Sequence, residues 1–87
     1  MNIQDLPLGK HQHSKSGSNR IFHKYENGEV LQSYFTIVAA RCGGKYYFTD
    51  DHNYSVTTAK QVTQWSGISS AERTKGLKSG RYLPLEA

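Results

Sequence analysis

Two glycine-bearing dipeptides, Asn27-Gly28 and Gly43-Gly44, interrupt a stretch otherwise rich in β-branched and aromatic residues. Both tolerate the positive φ that tight hairpin turns demand, so they restrict residues 20–49 to antiparallel neighbours. RIFHKY (20–25), VLQSYFTIVAAR (30–41) and KYYFT (45–49) then read as the strands of a meander, with the second as a long central strand. DDHN (50–53) is a polar turn, and YSV (54–56) is a candidate for a short further strand.

Beyond Val56 the period changes. Ala59, Val62 and Trp65 fall on one face at helical spacing, and Gly67 can end the helix. Thr57 or Thr58 can cap its start by accepting a hydrogen bond from an unpaired backbone N–H. Ser69-Ser70-Ala71-Glu72 fits a capping box and predicts a second short helix around residues 70–75. The expected fold class is therefore α+β: a small antiparallel three- or four-stranded β-meander with one helix packed on one face. Residues 1–19, polar and without periodicity, read as a flexible N-terminal arm. Residues 20–76 form the core domain, and residues 77–87 are a loosely held tail.

The turns also fix a register. If Asn27-Gly28 closes the first hairpin, Tyr25 faces Val30. If Gly43-Gly44 closes the second, Arg41 faces Tyr46, Ala40 faces Tyr47 and Ala39 faces Phe48. Alternation assigns Phe22, Leu31, Phe35, Ile37, Ala39 and Phe48 to one face, the core that Val62 and Trp65 would cover. Tyr25, Tyr34 and Tyr47 fall on the other face with Thr36, Val38 and Ala40. Three tyrosines on one sheet face can anchor a protein partner or stack on unpaired bases. Tyrosine also packs well across antiparallel strands, which would account for the face without any ligand.

The chain of 87 residues carries 11 basic and 7 acidic side chains, a net charge of +4. That balance fits an acidic protein partner or nucleic acid. Lys45 and the segment containing Arg73, Lys75, Lys78 and Arg81 are the candidate electrostatic contacts. A single cysteine, Cys42, excludes an intramolecular disulfide and a cysteine-based zinc site. No apolar run reaches the roughly 18 residues of a membrane span. The N-terminus lacks a signal peptide's pattern, which makes the cytoplasm the expected location. A domain this small has a thin stability margin that a homodimer would relieve.

Signals for chemistry are weak. His11-x-His13 offers two imidazoles without a third ligand, so no metal site is expected. Asp50-Asp51-His52-Asn53 holds the residue types of acid–base hydrolysis, yet Asp and Asn are also ordinary turn residues. Gly43-Gly44-Lys45 lacks the rest of a phosphate loop. No catalytic residue, metal or cofactor is expected, and the chain reads as a non-enzyme.

Ser33-Tyr34-x-Thr36-x-Val38-Ala39, a glycine-containing turn and then Tyr54-Ser55-x-Thr57-Thr58 form a pattern over residues 20–66. It resembles small uncharacterised proteins encoded by tailed bacteriophages. That resemblance implies an accessory role in which the protein binds and inhibits or modulates a host protein, as in host takeover or anti-defence. The alternative is a basic single-stranded nucleic-acid binder.

Overall fold

The computed structural model describes residues 1–86. Strands β1 (His11–Gly17), β2 (Arg20–Tyr25), β3 (Gly28–Ser33), β4 (Thr36–Cys42), β5 (Lys45–Phe48) and β6 (Leu83–Pro84) form one six-stranded sheet in chain order. The first five are antiparallel neighbours, and β6 pairs parallel with β5. Helices α1 (Val56–Ser66) and α2 (Ser70–Ser79) make the crossover that a parallel pair requires. The α+β class stands, with more strands than the sequence predicts.

The extra strands come from the ends. Residues 11–17 form β1 instead of a flexible arm, and every one of them is exposed. An edge strand with neither face buried shows no apolar alternation, so its sequence looks like a loop. The stretch 30–41 is two strands, because the chain reverses at Tyr34-Phe35. Phe35, expected in the core, stands 99% exposed at that hairpin tip.

Registers follow the turns. Arg41 pairs with Tyr46, Ala40 with Tyr47 and Ala39 with Phe48, as Gly43-Gly44 requires. In the first hairpin Tyr25 pairs with Gly28 rather than Val30, so Glu26-Asn27 makes the turn. A slip of two residues leaves every side chain on its expected face. Gly28 instead opens β3 where the Arg41 carbonyl and the Leu8 side chain lie too close for a Cβ. A bulge between Leu31 and Gln32 leaves Val38 unpaired and exchanges the faces of Ile37 and Val38.

Two cores result. On the helix side Leu31, Val38, Ala39 and Phe48 pack against Val62, Ile68 and Tyr82, with Phe22 and Trp65 at the margin. On the opposite side Leu6 and Leu8 from the N-terminal segment and Leu85 from the tail cover Val30, Ala40, Cys42 and Tyr47. Both ends are thus the second layer over the tyrosine face, not loose appendages. The helix joints are local: Ser55, two or three residues before the expected Thr57 or Thr58 cap, accepts from the Thr58 N–H, and Gly67 ends α1 at φ 74°. Ser69 caps α2 through the Glu72 N–H.

Candidate functional site

Tyr34 has φ 54°, a left-handed conformation that glycine usually fills in two-residue hairpin loops. The steric cost for an L-residue is roughly 1–2 kcal/mol. It persists because its neighbours over-determine it. The Tyr34 N–H donates to the Asn19 carbonyl at 2.9 Å. Its own carbonyl accepts from Gln32 Nε2 at 2.9 Å.

A polar chain supports Gln32. With Nε2 committed to the Tyr34 carbonyl, Oε1 must accept from His23 Nε2–H, 3.0 Å away. In the neutral tautomer of His23 that leaves Nδ1 to accept from the Ser14 hydroxyl at 2.7 Å, with His11 Nε2 2.8 Å from the same Ser14 Oγ. The edge strand β1 therefore braces the hairpin tip through side chains. His11 and His13 pair with Tyr25 and Lys24, adjacent residues whose side chains point to opposite faces, because a bulge separates the two histidines. Among the described residues no group of three metal-ligating side chains converges.

Beside the tip lies a cleft of about 290 Å³ lined by Ser33, Tyr34, Thr36, Val38, Asp51, Tyr54 and Thr58. Its floor is a satisfied hydroxyl network. Ser33 Oγ donates to Gln61 Oε1 at 2.7 Å and lies 3.0 Å from Thr58 Oγ1. Thr58 also accepts from the Ser55 hydroxyl at 3.2 Å. The rim is aromatic: Tyr34 is 49% and Tyr54 81% exposed. Among the described residues Asp51 supplies the only charge in the lining. Ion pairs among the described residues join Glu29 to Lys24 and to Arg41, so the Asp51 carboxylate is unpaired.

The structure does not bring the candidate tyrosines together. Tyr47 is buried and Tyr25 is half-buried, both within the second core, with Tyr25 edge-on to His11. Of the three, Tyr34 alone is exposed, at the cleft beside the hairpin tip. Lys45, Lys75, Lys78 and Arg81 are exposed. Arg73, expected to hold a partner, is wholly buried. Its guanidinium donates to His52 Nδ1, Asn53 Oδ1, Thr63 Oγ1 and the Ile68 carbonyl, pinning the 50–53 turn to both helices. His52 is held in that network, while Asp50 and Asp51 are exposed. Asp51 and His52 therefore have different environments.

Tyr54, expected in a short strand with Ser55 and Val56, lies instead between the 50–53 turn and the Ser55 helix cap, which leaves its ring exposed. The polar partners of its cleft come from β3 and α1, distant in sequence. No curated protein and no solved structure matches the chain. The profile of the family of unknown function DUF8033 matches residues 1–80, and the chain belongs to that family.

Proposed function

We propose that this chain is a binding protein, not an enzyme, and that it docks another protein through the corner formed by the β3–β4 tip and the entry to α1. One observation carries the reading. Of the five large apolar side chains left exposed, Tyr34, Phe35, Tyr54 and Val56 belong to these two adjoining segments, and Met1 lies at the chain's start. Aromatic residues at an exposed corner are typical anchors of protein interfaces. A strained residue held by surrounding hydrogen bonds at the same corner adds support, since such strain gathers at ligand clamps and switches.

The resemblance to small phage proteins gives the class of partner: a host protein that the chain would inhibit or modulate in the host cytoplasm. Tyr25 and Tyr47 leave the list of anchors, because their rings pack in the second core. The nucleic-acid alternative loses Arg73 and the three-tyrosine stacking surface, and retains Lys45, Lys75, Lys78 and Arg81.

Affinity capture from a bacterial lysate tests the reading. The immobilised protein is expected to retain one stoichiometric partner that is lost on Phe35→Ser with Tyr54→Ser. Combined Lys75→Ala, Lys78→Ala and Arg81→Ala should leave capture intact. Loss with the basic set alone, or capture of nucleic acid whose affinity falls steeply with salt, would overturn it.

A further inference from the structure

From the cleft between Tyr34 and Tyr54 we infer the chemistry of what enters it: a guanidinium, presented as an arginine side chain on the partner. This rests on the protein-docking reading and deepens it. Among the described residues Asp51 is the only charged one lining the cleft, and none of them pairs with it as a cation. On a chain with net charge +4, the charge that lines this cleft is negative. A carboxylate repels anionic ligands and favours a cation.

Arginine fits better than lysine. Its planar group can lie against a tyrosine face while its fork pairs with a carboxylate, two contacts that this lining offers together. The start of α1 carries a partial positive charge of about half a unit, which opposes a cation. It is outweighed by the full charge of Asp51. The Thr58 N–H is moreover already taken by Ser55 Oγ at 3.1 Å. The floor hydroxyls bond one another, so the rim, not the floor, makes the charged contact.

The test is an amide-resolved NMR titration of the full chain at constant ionic strength. The probes are N-acetyl-arginine amide, N-acetyl-lysine amide and N-acetyl-glutamate amide. Saturable shifts at Tyr34, Tyr54 and Thr58 with the arginine probe are expected, with the lysine probe weaker and the glutamate probe inert. Asp51→Asn, verified as folded by its unshifted core resonances, should weaken arginine binding about tenfold, the loss of one charge-assisted contact. Tyr54→Leu should weaken it while Asp51→Glu retains it.

No saturable shift up to about 100 mM, well past the range that a few such contacts supply, overturns the inference. So does equal binding of the lysine or glutamate probe, or an unchanged affinity in Asp51→Asn. The docking reading fails separately. If Phe35→Ser with Tyr54→Ser leaves partner capture intact while the wild type binds the arginine probe as expected, the cleft stands and the docking corner does not. Partner loss in Phe35→Ser with Tyr54→Ser, without arginine binding in the wild type, gives the reverse.

Discussion

Arg73 Nε donates to Nδ1 of His52 at 3.0 Å in the protein interior. The guanidinium remains charged at any pH at which the fold exists, although burial lowers its pKa. Nδ1 of His52 must therefore stay unprotonated. Burial first, then the charge of Arg73, push the His52 pKa below its ordinary 6.5, and Asp50 opposes them more weakly. A histidine with a depressed folded pKa binds protons more readily when unfolded. Its contribution is complete above about pH 6.5 and is lost as pH falls towards the folded value. Denaturant midpoints are thus expected to decline from pH 7 to pH 5, and His52→Gln should flatten that slope. An unchanged slope in His52→Gln would remove His52 as its source.

Arg73→Lys tests the same joint without removing the charge. A lysine cannot serve Asn53, Thr63, Ile68 and His52 at once, and each buried acceptor left unpaired costs about 1–3 kcal/mol. A loss of about 3 kcal/mol is expected from chemical denaturation, a large share of a small domain's stability. A loss below about 1 kcal/mol would mean that the network is replaceable by water.

Gly76 sets helix propensity against packing. Within α2, alanine should gain about 1 kcal/mol over glycine. A Cβ here would run into the Tyr82 ring, itself buried against Phe48 and Tyr46. Overpacking of that kind costs about 1–3 kcal/mol, so Gly76→Ala is expected to lower the thermal midpoint. A rise would show that Tyr82 moves aside freely.

Tyr34 gives the opposite sign. Asparagine tolerates the left-handed region, so Tyr34→Asn relieves strain at the hairpin tip and is expected to hold or raise stability, by up to about 1 kcal/mol. The same change removes half the aromatic rim and should abolish partner capture. A protein stabilised by losing its binding residue marks strain kept for function. A destabilisation of more than about 1 kcal/mol would instead make Tyr34 an ordinary packing residue.

Legibility followed physical cause. The Gly43-Gly44 turn, the Gly67 stop and the Ser69 cap were readable because each meets a local backbone demand. Ser55 rather than Thr57 or Thr58 caps α1, a choice among adjacent hydroxyls that propensity does not resolve. The turn at Tyr34-Phe35 carries no turn residue, because distant Asn19 and local Gln32 enforce it. β1 has no apolar face to announce it. Arg73 reads as a solvated charge until the folded turn at 50–53 surrounds it with acceptors. For the site, the sequence marked Tyr34, but the pairing with Tyr54 and Asp51 depends on how the hairpin meets α1.

Site-specific photo-crosslinking tests the docking corner most directly. A benzoylphenylalanine replaces Phe35 in one sample and Lys78 in another, and each is irradiated in bacterial lysate. The account predicts one protein adduct from position 35, competed away by excess wild-type chain and not by Tyr34→Asn with Tyr54→Ser. Adducts from position 78 with none from position 35, or competition by the double variant as effective as by wild type, would contradict it.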